Sequence, residues 1–129
     1  MLKDFKNWHP RKARIDEATH RPGFHEREIW YCALGVNVGF EQDGGGINFL
    51  RPIVIVRKFN NEVFWGIPLT TSLKTGPYYF SFCFDGKTQS NAILSQIRLI
   101  DAKRLSHRIG TMATASFAEL TKKLKELIP

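Results

Sequence analysis

Hydrophobic residues are scattered without period over residues 1–26 and crowd into short runs between Glu28 and Ile100. Near the C-terminus they recur at three- and four-residue spacing. The runs are rich in β-branched and aromatic residues and end at turn formers, the pattern of strands. The first, Ile29-Trp30-Tyr31-Cys32-Ala33-Leu34, stops at Gly35. Pro52-Ile53-Val54-Ile55-Val56-Arg57 is nearly continuously apolar, as expected of a central strand, with proline at its first position, where a missing N–H is tolerated. Glu62-Val63-Phe64-Trp65-Gly66-Ile67 follows the turn Phe59-Asn60-Asn61, which predicts a hairpin between these two runs. Tyr78 to Phe84 reads as a fourth strand and Ala92 to Ile100 as a fifth. Phe117, Leu120, Leu124, Leu127 and Ile128 share one face of a helix. Ser116 with Glu119 fits a capping box for it, with Thr114 as the alternative cap. Short strands and one closing helix predict a mainly β fold with a C-terminal helix, a small and strongly bent barrel.

At 129 residues, with 43% hydrophobic and 24% charged, the chain is expected to fold as one domain with a real core. Residues 1–26 read as an extension, partly ordered by Phe5 and Trp8 packing onto a body that spans 27–129. No apolar run is long enough to span a bilayer, and the basic N-terminus has no apolar segment behind it, so the expected location is the cytoplasm. Cys32 and Cys83 both fall in strand-like runs and are expected to be buried small hydrophobes. Nothing in the Cys and His spacing calls for zinc or another metal, and no cofactor is expected. The net charge of +7 sits on the flanks. Residues 1–27 carry seven Lys/Arg against four Asp/Glu, and residues 98–129 seven against three. Such a chain attracts polyanions and acidic proteins alike.

Four segments in register carry a resemblance. They are Glu28-Ile29-Trp30 running into Asn37-Val38-Gly39-Phe40-Glu41-Gln42, then Arg51-Pro52-Ile53-Val54, then Ile67-Pro68-Leu69-Thr70-Thr71-Ser72, then Ser95-Gln96-Ile97-Arg98-Leu99-Ile100-Asp101 with Lys103-Arg104-Leu105. Together they resemble the MazF/PemK/Kid toxins, endoribonucleases of bacterial toxin–antitoxin pairs, over roughly Arg27 to Ile128. The resemblance implies an SH3-like barrel of the MazF/Kid/CcdB type. It also implies a homodimer, a groove for single-stranded RNA, and an antitoxin with an acidic tail.

Metal-free RNA cleavage must align the 2′-hydroxyl with phosphorus, stabilise the phosphorane and move two protons. Arg51 matches the family's catalytic arginine, and its planar, permanently charged fork can grip two phosphate oxygens. Thr70 matches the catalytic threonine at the end of its strand; as a β-branched strand-end residue it could equally serve the turn. Glu41 is the nominated general base, since arginine does not readily release its proton. Bracing the first loop, together with Gln42, is an equal reading of it. Gln96 and Arg98 match the family's Gln-x-Arg, which lines the groove, although Gln96 reads as readily as a satisfied amide. Thr71 and Ser72 extend the same strand end and, with Gln42, are candidate RNA contacts, and a one-position shift of the threonine match to Thr71 stays open.

The chain departs from the Kid branch. The arginine and aspartate that precede the glutamine there are Ile93 and Ser95 here, and Phe40 stands where Kid has a loop histidine. The first loop is also longer than in the shortest relatives, with Gly44-Gly45-Gly46 inserted before Arg51. None of His9, His20, His25 and His107 matches a family catalytic position. The last sits in a segment read as a turn. Phe40, Phe49, Tyr78 and Tyr79 are candidate platforms for unstacked bases, whereas Trp30, Trp65, Phe80, Phe82 and Phe117 are expected in the core. The expected activity is therefore metal-independent, sequence-specific cleavage of single-stranded RNA leaving 2′,3′-cyclic phosphate and 5′-hydroxyl ends. The rival readings are a gyrase-poisoning toxin on the same barrel and a decayed RNA- or protein-binding module.

Overall fold

The continuous apolar run of the second strand has a simple cause: both faces of that strand are covered. In a computed structural model of the chain, describing residues 5–17, 21–35 and 50–129, β2 spans Leu50–Lys58. Its Ile53 and Ile55 face one cluster, with Phe24, Trp30, Cys32, Phe64 and Ile100. Its Val54 and Val56 face another, with Ile29, Ile67, Leu69, Phe82, Leu94 and Leu120. The period-two alternation of side chains divides one run between two half-cores.

Around β2 the remaining strands are β1 (Glu28–Ala33), β3 (Val63–Thr70), β4 (Tyr79–Cys83), β5 (Gln89–Ile93), β6 (Arg98–Asp101) and β7 (Leu105–Thr111). They form one antiparallel sheet in the order β4-β5-β3-β2-β1-β7, with β6 also paired to β3. The fold is thus mainly β with a C-terminal helix, α2 (Thr114–Glu126), as expected. The ladder is open rather than closed, with β4 and β7 at its edges. The predicted β2–β3 hairpin is present, and Asn60 Oδ1 closes it by accepting from the backbone N–H of Glu62 and Val63. Leu120 of α2 is buried against the second cluster, with Phe117, Leu124 and Leu127 beside it.

β3 pairs with two strands in turn along one side. Val63 to Gly66 pair with β6, whereas Leu69 and Thr70 pair with β5. The handover falls at Ile67-Pro68, where proline lacks the N–H that a continuous ladder would use.

Several expectations need correcting. The single fifth strand is two, β5 and β6, parted by a 3₁₀ turn at Leu94–Gln96. His107 lies in strand β7, not in a turn. Thr114 begins the helix and Ala113 caps it without a side-chain bond, so the Ser116–Glu119 box is not formed; the Thr114 hydroxyl instead accepts from Arg27 Nη1. Trp65 is 42% exposed, its ring edge-on to Phe59, rather than in the core. Cys83 is exposed as well, while Cys32 is buried as expected, with burial pushing its thiol up to about 12. Residues 5–17 form a helix, α1, with Pro10 inside it. Trp8 packs on the body as expected; the side chain of Phe5 lies outside the described residues.

Glu28 ties the start of β1 together. Its buried carboxylate accepts from Trp30 Nε1 at 3.0 Å, His25 N at 2.8 Å and Arg108 Nη1 at 3.0 Å. Burial pushes this carboxyl up, but the three donors together outweigh it and hold the group below its ordinary value. A depressed native value stabilises the fold above the unfolded value, about 4.3. That contribution drains away as pH falls through the native value. Glu28→Gln is therefore expected to cost about 1–3 kcal/mol at neutral pH and to flatten the acid limb of a stability–pH curve. Urea titrations at stepped pH measure both, and an unchanged acid limb would exclude Glu28 as its source.

Candidate active site

β2 begins where β3 ends. Ile53 pairs with Pro68 and Val54 with Ile67, and continuing that register sets Arg51 across from Thr70. Arg51 is partly buried, and its Nη1 donates to the Leu69 carbonyl at 3.2 Å, which anchors the guanidinium over the end of β3. Thr70 Oγ1 accepts from the backbone N–H of Ser72 at 3.2 Å. The hydroxyl therefore serves the turn through its lone pair, and its own O–H remains a donor by chemistry.

Both residues line a cavity of about 630 Å³, with Tyr31, Pro52, Leu69, Thr71, Phe84 and Asp85 among its walls. Phe84 closes one side by lying on Gly110, where any Cβ would come within 2.5 Å of its ring. The turn after β3 is pinned from below by Asn91, which is 1% exposed. Its Nδ2 donates to the Ser72 carbonyl at 2.6 Å, and its Oδ1 accepts from the Ser81 hydroxyl. A buried amide with both ends bonded holds the Thr70-Thr71-Ser72 turn to β4 and β5.

The comparisons with known proteins bear on this arrangement. A family model described as the PemK-like, MazF-like toxin of type II toxin–antitoxin systems matches residues 25–128. The chain belongs to that family. Among curated proteins, no sequence matches it significantly. Solved structures of the same fold include MazF from Deinococcus radiodurans, at 17% identity and TM-score 0.65, covering 84% of this chain and 97% of that one. The toxin MazF-mt6 of Mycobacterium tuberculosis aligns at 15% identity and TM-score 0.59, covering 78% and 94%. An endoribonuclease from a mycobacterial species, solved with its cognate antitoxin, aligns at 14% identity and TM-score 0.62, covering 83% and 98%.

In this toxin the residues singled out from sequence divide among three places. Arg51, Thr70 and Thr71 share the cavity, and Ser72 beside it is held by Asn91. Tyr78, 53% exposed, and Arg98 line a separate cleft of about 600 Å³ with Trp65, Leu99, Leu124 and Ile128. Gln96 lies partly exposed in the 3₁₀ turn after β5. Phe40, Glu41, Gln42 and Phe49 lie outside the described residues. Among those described, no cluster of three His, Cys, Asp or Glu side chains has the makings of a metal site.

Two residues escaped the sequence reading, Asp85 in the cavity wall and Asn91 beneath the adjoining turn. Asp85-Gly86 looked like a strand terminator only, and Ser90-Asn91 lay just ahead of the apolar run that marked the next strand. Asp85 accepts from the backbone N–H of Thr88 and Lys87, which holds its carboxyl below the ordinary carboxylate value. It is a negative charge held in place by two backbone donors. Asn91 could have been flagged as a polar residue inside a strand, which needs partners when buried.

Proposed function

We propose that this toxin is a metal-independent, sequence-specific endoribonuclease acting on single-stranded RNA, mRNA included. The observation that carries the reading is the meeting of Arg51 and Thr70 at one cavity, where β2 starts and β3 ends. In this reading the 2′-oxygen loses its proton and bonds to phosphorus, and the 5′-oxygen departs and is protonated. The products carry a 2′,3′-cyclic phosphate and a 5′-hydroxyl. Arg51 neutralises charge that builds on the non-bridging oxygens, the step where a preorganised donor contributes most. The Thr70 hydroxyl donates to the scissile phosphate and fixes its orientation. Glu41 receives the 2′-proton. With positioning and electrostatics supplying most of the acceleration, the enzyme is slow.

The working form in this reading is a cytoplasmic homodimer whose RNA groove crosses the two copies. An acidic antitoxin tail covers that groove, ordering as it binds. The basic flanks of the chain favour such a partner, and the mycobacterial relative was solved with its cognate antitoxin. No helix among the described residues is long and apolar enough to cross a membrane.

The test is incubation of mixed-sequence single-stranded RNA with wild type, Arg51→Ala and Thr70→Ala, all with EDTA present. Fragments ending in cyclic phosphate from wild type alone support the reading and yield the recognition sequence. No fragments from folded, antitoxin-free wild type would return the chain to the non-catalytic alternatives.

Asp85 supplies a second check. Asp85→Asn keeps an oxygen to accept the two turn N–H groups while removing a negative charge from the cavity wall. Single-stranded RNA is expected to bind about two- to threefold tighter at low salt, with the gain shrinking as salt screens it. Unchanged affinity at low salt would mean that phosphate does not sit near this wall.

A further inference from the structure

The helix α1 lies outside the residues shared with the family, yet it touches the chain on both sides of the segment that leads to Arg51. Trp8 is 3% exposed and forms a buried cluster with Ala33, the last residue of β1, against which Leu50, the first of β2, packs. Ala33 and Leu50 are register partners, and the next pair along is Cys32 with Arg51. The Trp8 ring also lies on the backbone of Gly35, where φ is +73° and an added Cβ would come within 1.9 Å of ring carbons. Only glycine fits there, both for its conformation and for the space. Arg104 holds the ring from the far side at 5.9 Å and donates Nη1 to the Ala33 carbonyl at 3.0 Å. One indole thus bears on both stems of residues 36–49, the stretch that carries Glu41 and Gln42, one residue pair away from Arg51.

We propose that Trp8 is a positioning residue for RNA cleavage, a brace from outside the family domain that fixes both stems, the end of β1 and the start of β2, and through them Arg51. The inference rests on the endoribonuclease reading. A brace of this kind acts on geometry: displacement of a reacting group by about 1 Å can cost up to about 100-fold in rate, while contacts that bind substrate are left alone. A ring that merely packed would change thermal stability and little else.

The experiment compares full-length wild type, Trp8→Ala and Trp8→Phe by steady-state cleavage of an RNA carrying the recognition sequence. Hydrogen–deuterium exchange of peptides covering residues 33–35 and 50–52 is measured on the same samples. Trp8→Ala is expected to lower kcat about 10-fold or more with KM within about twofold, and to speed exchange at both stems but not in β3 or β5. Trp8→Phe, which keeps a ring, should fall between; if Trp8→Ala does not fold, it carries the test alone. A folded variant with kcat within twofold of wild type, or with unchanged exchange at the stems, overturns the proposal. Wild type that cleaves no RNA would instead bring down the function reading, and the positioning role with it, while the exchange data still report whether the brace exists.

Discussion

Arg51→Ala is expected to lower RNA cleavage about 100-fold or more while leaving the protein folded. The guanidinium is partly buried and anchored on the Leu69 carbonyl at the rim of the cavity, outside the two buried apolar clusters. The catalytic cost is large because the group is held in place before charge develops, and water entering the cavity is a poor replacement for a fixed donor. Arg51→Lys should recover only part of the rate, since an ammonium supplies charge without the planar fork that grips two oxygens. Single-turnover cleavage at saturating RNA separates this loss from weaker binding. A rate within twofold of wild type would remove Arg51 from the mechanism and with it the main support for the function.

Phe64→Ala should do the reverse, costing stability rather than chemistry. Phe64 is fully buried, its ring 5.2 Å from that of Phe24 and packed with Ile53 and Ile100. Deleting a buried phenyl typically costs about 3–5 kcal/mol, a large share of the 5–15 kcal/mol, roughly, that holds a domain of this size together. The deletion falls on the face of β2 that bears Ile53 and Ile55. The cavity wall residue Leu69 belongs to the cluster on the other face. Urea unfolding of Phe64→Ala should therefore show the full loss, while the folded fraction at low temperature keeps near-normal cleavage. A loss below about 1 kcal/mol would mean that the pocket around Phe24 collapses onto the space.

Sequence carried the parts of this protein that local chemistry dictates. The β2 run, its hairpin with β3 and the apolar face of α2 were legible because burial on defined faces writes a period of two or of three to four into the chain. Arg51 and Thr70 were legible as members of short motifs, each at a strand end. What stayed illegible depends on partners distant in sequence. β7 carries exposed Ser106, His107 and Arg108 on an edge, so it shows little apolar alternation and looked like a turn. α1 holds a proline and few apolar residues; much of what fastens it is Trp8 meeting Gly35 and Arg104, which no local pattern announces. Trp65 was assigned to the core by composition, but its place in β3 turns it to the outer side, next to Phe59. Asn91 and Asp85 gain meaning only once β5 folds beneath the Ser72 turn and the β4–β5 loop reaches the cavity wall. The sequence by itself determined β1 to β4 and α2 in outline, because burial on defined faces fixes side-chain spacing, and it marked Arg51 and Thr70 through the family resemblance. Only the tertiary structure decided that Arg51 and Thr70 face one cavity while Tyr78 and Arg98 face another. That choice is made by strand register and by the change of partner along β3, from β6 to β5, which are set by packing across the whole sheet.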